Sequence, residues 1–327
     1  MKPTIVRTAE HVLNGNLLDR DGIDSLLVES CDRDGLEDML YCANRIRRKF
    51  FGDRIKICSI VAGTVGGCSQ DCSFCAQSLR YDTAIDKKPK VALDEDILLA
   101  AEAAIDAGVP NLGIVNSGKA LCESELVRIE NLVVKIKDKY DIGVCAGLGI
   151  LSEPQAKRLY AAGVTRYNHN LETSERHFAN IVSTHKYSDR VKTIKNAQSA
   201  GMEICAGGIF GIGESDSDRV DMALALRDLQ VDTVPMNFLH PIEGTPLGDS
   251  ETLKPLEILR IIALYRFILP TVNLKVAGGR VLNLRDMQSW IFNAGATSIL
   301  SGNYLTTAGR STDEDMQMLT DLGLEVS

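Results

Sequence analysis

Three things are scarce in this 327-residue chain. No uninterrupted apolar run approaches the roughly 18 residues that a membrane span needs, so no membrane association is expected. The first residues carry neither an apolar signal core nor an Arg/Ser-rich transit pattern, which makes a cytoplasmic protein the expectation. Positive charge is in the minority: 36 Lys and Arg stand against 44 Asp and Glu, a net charge of -8 with a pI near 5.3. Nucleic-acid binders need a concentrated positive surface. No basic stripe exists here, so a phosphate-backbone partner is excluded.

What the chain does have is apolar content and cysteine. At 45% hydrophobic residues it can bury a large core, and its length suits either one large α/β domain or two smaller ones. Nine cysteines are an odd number for a chain without an export signal. Disulfides are therefore not expected, and metal ligation plus a few inert buried thiols is the better reading.

Three of the nine fall in Gly66-Gly67-Cys68-Ser69-Gln70-Asp71-Cys72-Ser73-Phe74-Cys75, a C-x3-C-x2-C spacing. On a helix these positions would share one face, as three core thiols. Ser, Gln and Asp fill the gaps, however, and two glycines precede them, which argues for a loop. Zinc normally takes four protein ligands in paired C-x2-C units. Three thiolates on one short loop suit a 4Fe-4S cluster with one iron left open. The spacing resembles the signature of the radical S-adenosylmethionine (SAM) superfamily. That resemblance implies that SAM chelates the open iron and is cleaved to a 5'-deoxyadenosyl radical, with Phe74 an apolar platform along its adenine.

Residues 1 to about 50 read as an N-terminal helical extension, with helices over Ala9–Leu18, Ile23–Val28 and from Gly35 to Phe50; residues 51–327 read as one further domain. From Ile55 onward short apolar runs alternate with helical stretches, the βα rhythm of a parallel sheet. Strands are expected near 55–61, 112–116, 142–147, 165–169, 203–209, 232–237, 272–276 and 297–300. Eight such units predict a (β/α)8 TIM-type barrel, whose chemistry sits at the carboxyl ends of the strands. The cysteine loop follows the first strand, at that end.

Other strand ends carry polar groups. Asn168-His169-Asn170-Leu171-Glu172 follows the fourth strand with two amides and a carboxylate, a set suited to ureas and riboses; it also reads as a turn capping the next helix at Thr173-Ser174. Gly207-Gly208-Ile209-Phe210-Gly211 closes the fifth strand, with Gly208 and Gly211 where a ligand could approach the backbone. Asn237 ends the sixth strand among apolar neighbours, so its amide points inward and needs a partner. Thr306 and Thr307, after the eighth, offer hydroxyls to a carboxylate. Cys58, Cys145 and Cys205 fall inside strands one, three and five. Singly each reads as a small buried hydrophobe, but alternate strands of an eight-stranded barrel feed shared layers. The three thiolates are therefore expected to meet inside and hold a second iron-sulfur cluster. Cys31 and Cys42 read as structural, and Cys122, on a polar helix start, as solvent-facing.

Together Cys68-x3-Cys72-x2-Cys75, Tyr167-Asn168-His169-Asn170-Leu171, Gly207-Gly208-Ile-x-Gly211-x-Gly213-Glu214, Val234-Pro235-Met236-Asn237, Gly244-Thr245-Pro246-Leu247 and Ala277-Gly278-Gly279-Arg280 resemble the biotin synthase family, in order, from about residue 55 to the end. The resemblance implies sulfur insertion between C6 and C9 of dethiobiotin. It implies Phe74, Asn170, Glu172 and Arg190 as SAM contacts, Arg190 on its carboxylate, and Asn170 and Asn237 as substrate contacts. A small flavodoxin- or ferredoxin-type electron donor and a homodimer are also implied. Glu172 is longer than the family's usual Asp.

The departures are informative. The well-known members hold a 2Fe-2S sulfur donor on three strand cysteines and a seventh-strand arginine. Cys145 and Cys205 match two of those thiols, but the second-strand position falls near Gly113 and the arginine position carries Lys275. Cys58 restores the thiol count from another strand. The expected auxiliary cluster is therefore a cubane whose fourth iron lacks a protein ligand and carries an extra sulfide, with 2Fe-2S as the alternative. Other readings are a relative sharing the barrel, such as a hydrogenase-cofactor maturase or methylornithine synthase, and a non-catalytic iron-sulfur sensor. Asn168-His169-Asn170 and Asn237 argue against the relatives.

Overall fold

The structure is a computed structural model that describes residues 1–303 and 309–327; Thr306 and Thr307 lie outside the described residues. Three helices come first, Pro3–Leu13, Arg20–Glu29 and Arg33–Phe51. The first was expected over Ala9–Leu18 and lies earlier. Proline in the first turn gives up no hydrogen bond, so Pro3 can open the helix, and it stops before Asn14-Gly15, where Gly15 takes φ +88°. Asp19 and Asp32 start the other two by accepting from the Gly22 and Gly35 amides at 2.9 and 2.8 Å. Buried Ile5, Ile23, Met39 and Ile46 belong to the same hydrophobic core as the barrel, and the third helix lies against the helix Pro255–Ile268.

Eight parallel strands follow: Arg54–Val65, Asn111–Asn116, Gly143–Gly147, Val164–Asn168, Glu203–Cys205, Thr233–Phe238, Asn273–Val276 and Ser298–Leu300. Each pairs with the next, and the eighth returns to the first through Lys56↔Ser298, Ile57↔Ile299 and Cys58↔Leu300. The ring is closed, as the (β/α)8 reading expected. Strand periodicity sorts the side chains. Ile55, Ile57, Leu112, Ile114, Val144, Ala146 and Ile204 turn outward to the main core beneath the helices. The residues between them, including Cys58, Gly113, Cys145 and Cys205, turn into the barrel. Cys58 packs there in a small separate cluster with Ile60, Ala277 and Leu300.

The fifth strand, expected as 203–209, is broken. Glu203–Cys205 pairs with the fourth strand; after Ala206-Gly207 the chain resumes as Gly208–Phe210 beside the sixth. The cause is steric crowding. A β-carbon on Gly207 would stand 2.0 Å from the Pro235 carbonyl oxygen, and one on Gly208 2.4 Å from that of Glu172. At the far end of the chain the helix Thr312–Asp321 leads to Glu325–Val326, which pairs with Arg54 and Ile55. Among the described residues no helix is long and apolar enough to cross a membrane.

Candidate active site and inner cysteine layer

Cys68, Cys72 and Cys75 line one cavity of about 290 Å³ at the carboxyl end of the strands. Their loop is held by its own backbone: the Cys68 amide donates to the Gln77 carbonyl at 3.1 Å, Leu79 to Cys68 at 2.7 Å and Cys75 to Cys72 at 2.9 Å. Asp71 ties the loop to the segment before the helix Tyr187–Ser199. It accepts from the Ser183 and Thr184 amides at 3.0 and 3.1 Å and from both hydroxyls. Burial works against its charge, yet these donors hold its carboxyl well below the usual range.

Burial pushes the Cys72 thiol up to about 12 and Cys75 to about 11, with Arg190 the main opposing influence on Cys72. Thiolates in this loop therefore require a bound cation. Among the described residues no three His, Cys, Asp or Glu side chains converge tightly enough for a single metal ion. In a cubane each thiolate binds a different iron, so its cysteines stand farther apart than ligands of one ion. Three thiols lining one cavity, Cys68 buried and Cys72 and Cys75 half-buried, fit that group.

The same cavity is lined by Asn170, Glu172 and Arg190. Arg190 Nη1 donates to the Asn170 carbonyl at 2.9 Å and pairs with Glu172 at 3.2 Å, both side chains about nine-tenths buried. The two residues assigned to ribose and SAM carboxylate thus engage each other here. Burial raises the Glu172 carboxyl, with Arg190 and Asn170 opposing. Asn170 is fixed through Nδ2 to Glu172 at 3.3 Å and Oδ1 to the Gly207 amide at 3.2 Å. Ser174 also caps the helix Glu175–Ile181, so the capping and site readings of this segment hold together. Gly208 and Gly211 line neither this cavity nor the next; the Gly211 amide donates to Glu214 at 2.9 Å.

Asn116 and His185 were missing from the expected site, and Asn168 and His169 were named there only as part of the segment around Asn170. Asn116 and Asn168 Oδ1 and His169 Nε2 are buried without hydrogen-bond partners among the described residues, and all three line the first cavity. His185 lines it too, with Nδ1 3.0 Å from Gln70 Oε1. Asn116 and Asn168 end their strands, a signal available in the sequence; His185 reaches the cavity only through the Asp71 contact, which no local pattern predicts.

A second cavity, about 310 Å³, adjoins the first across Phe74, Cys75, Gln77, Asn170 and Glu172. Asn237 lines it. Its Nδ2 donates to the Gly208 carbonyl at 3.1 Å and its Oδ1 accepts from the Gly278 amide at 2.9 Å. An amide has two donors and two acceptor sites, so one of each remains. Ile60 and Leu300 also line this cavity, and both pack on Cys58.

Beneath lies the inner layer. Cys58, Cys145 and Cys205 are buried; burial pushes the Cys145 thiol up to about 12, with Cys58 and Cys205 adding to it and Arg166 and Lys275 opposing. Arg166 Nη1 is 3.7 Å from Cys145 Sγ and is paired with Glu203. A β-carbon on Gly113 would stand 3.1 Å from Ile60 Cγ2 and 3.6 Å from Asn168 Nδ2, so the second-strand position is filled by neighbours. Of the remaining cysteines, Cys42 is buried, while Cys31 and Cys122 are exposed; Cys31, expected to be a packed residue, lies just past the helix Arg20–Glu29 on its solvent side.

Two family models match: the radical SAM superfamily over residues 64–226 and the Biotin and Thiamin Synthesis associated domain over 235–325. A biotin synthase of Heliobacterium modesticaldum is 44% identical over 329 residues, covering 100% of this chain and 99% of its own. One from Geobacter sulfurreducens is 44% identical over 320 residues, covering 97% and 96%. Among solved structures, a methylornithine synthase superposes with TM-score 0.85 at 20% identity over 98% of this chain and 97% of its own. An [FeFe]-hydrogenase maturase gives 0.86 at 17% over 99% and 75%. These two bear on the fold alone. The full-length identity to the first pair is decisive, and the chain belongs to the biotin synthase family of radical SAM enzymes.

Proposed function

We propose that this chain converts dethiobiotin to biotin by inserting sulfur between C6 and C9, with the sulfur drawn from a four-iron auxiliary cluster on Cys58, Cys145 and Cys205. The observation that carries the reading is that two adjoining cavities lie next to the inner cysteine layer. The cavity with Cys68, Cys72 and Cys75 adjoins a second one through Phe74 and Cys75, and Ile60 and Leu300 of that second cavity rest on Cys58. A substrate in the second cavity would lie between a radical source and a sulfur source.

When bound, the Cys68/Cys72/Cys75 cluster with SAM supplies the hydrogen-abstracting radical, and the auxiliary cluster supplies sulfur. The chain's own residues position and seal. Asn237 offers its free N–H and lone pair to the ureido ring, and Asn170 sits where substrate and ribose both reach it. Glu172 exchanges part of its Arg190 contact for the ribose hydroxyls, which frees Arg190 for the SAM carboxylate. Phe74 forms the wall along the adenine, and Thr306 and Thr307 bind the substrate carboxylate. Enclosure matters because a primary radical would attack any exposed C–H bond. A flavodoxin- or ferredoxin-type protein serves as electron donor, and the working form is a homodimer.

The test is anaerobic incubation with SAM, dithionite and dethiobiotin, scored for biotin and 5'-deoxyadenosine, alongside metal analysis. Two cubanes give about eight iron per chain. About six would mean one cubane plus a 2Fe-2S cluster and overturn the four-iron reading, whereas 5'-deoxyadenosine without biotin would overturn the substrate. Cys58→Ala should erase one cluster's spectrum while SAM cleavage persists.

A further inference from the structure

The inner cysteine layer has a fourth member. Strands one, three, five and seven of an eight-stranded barrel feed one layer, and here they bring Cys58, Cys145, Cys205 and Lys275. Lys275 lies opposite Pro235 on the sixth strand and Ser298 on the eighth, and is 7% exposed. The charged groups nearest its amine are Cys205, Cys58 and Cys145; no carboxylate is among them.

That environment is unusual for a lysine. An ammonium taken out of water is costly unless paired, and no carboxylate is at hand to pair it. The neighbouring cation is differently placed: Arg166 touches Cys145 but is neutralised by Glu203, at 2.5 and 2.9 Å. Lys275 is instead matched to something anionic held by the cysteines themselves. A cubane held by these three thiols would have one iron without a cysteine, and Lys275 is the remaining member of the layer that could face it.

We propose that Lys275 holds the transferable sulfide, its N–H groups donating to a sulfur on the iron that lacks a cysteine. The inference rests on the four-iron reading above. A lysine nitrogen bonded to that iron would fill the position the sulfide needs, so the amine acts as a donor and leaves the iron free. An N–H donor also disperses the charge of a terminal sulfide, which slows its loss. Methionine at this position would fill the volume without donating, and arginine would donate.

The experiment uses full-length protein reconstituted anaerobically as wild type, Lys275→Met and Lys275→Arg. Each is incubated with isotopically labelled sulfide, desalted, and analysed for iron and bound label. Wild type should keep about eight iron and about one exchangeable sulfide per chain. Lys275→Met should keep the iron but retain label about tenfold less well, as expected for loss of one charge-assisted hydrogen bond; Lys275→Arg should restore most of it. Unchanged label in Lys275→Met at full iron would overturn the role of Lys275 and leave the four-iron reading standing. Loss of the auxiliary iron in Lys275→Met with retained SAM-cluster iron would also overturn it, making the lysine a ligand. About six iron in wild type would overturn the four-iron reading, and the inference with it.

Discussion

Glu172 has the least relaxed backbone of the site, with φ +71° in a residue that carries a β-carbon. Such a conformation costs roughly 1–3 kcal/mol and persists only where its surroundings fix it. They do: its amide donates to Gly207 at 3.1 Å, its carbonyl accepts from Ile209 at 2.9 Å, and its carboxylate pairs with Arg190. The strain is spent on aiming an acid into the cavity. His185, across that cavity, is tuned in the opposite sense. Burial, then Arg190 and Lys119, lower its pKa from 6.5 to about 4. The folded state therefore resists the proton that the unfolded chain accepts near 6.5. Stability should be complete above that pH and fall as pH drops towards 4, by at most about 1.4 kcal/mol per pH unit for one proton. The ring is partly exposed, so solvent screening should reduce the slope. His185→Gln should flatten this dependence in urea unfolding between pH 7 and 5; parallel slopes for the two proteins would show another group responsible.

Among the elements, the broken fifth strand contributes most to shaping the site. Its first half carries Cys205 into the inner layer. Its second half, beside the sixth strand, supplies the Gly208 carbonyl that holds Asn237. A continuous strand would not place both, and the break depends on backbone contacts that only glycine permits. Gly207→Ala should therefore cost about 3 kcal/mol or more through overpacking, given the Pro235 oxygen 2.0 Å from the added carbon. Gly108→Ala is the control. Unlike Gly207 it sits at positive φ, +70°, and nothing lies within 4 Å of its β-carbon, so about 1 kcal/mol is expected. Chemical denaturation of both separates crowding from conformational preference, and equal losses would contradict the steric account.

For the whole molecule, the question is how the barrel stays closed once the last strand is placed. Arg280, just after the seventh strand, pairs with Asp315 on the helix Thr312–Asp321 at 2.6 Å, both fully buried. That helix then returns the chain to pair with Arg54 and Ile55. Removing one partner of a buried ion pair is strongly destabilising, so Asp315→Ala should cost about 3–5 kcal/mol. Thermal or urea unfolding would measure it, and a loss below 1 kcal/mol would mean closure rests on strand pairing alone. By itself the sequence determined the helix-then-barrel order, the eight strands within a residue or so except the first and fifth, and the grouping of the nine cysteines. Those signals are local, because strand periodicity, glycine turns and ligand spacing are properties of neighbouring residues. Only the tertiary structure decided the break at Gly207, the mutual engagement of Glu172 and Arg190, the filling of the Gly113 position by Ile60, and the place of His185 at the cavity. Each depends on atoms that meet across the barrel from segments far apart in the chain. The Cys68–Cys75 spacing could therefore be read directly as a ligand loop, while the company that Lys275 keeps became visible only when the strands closed.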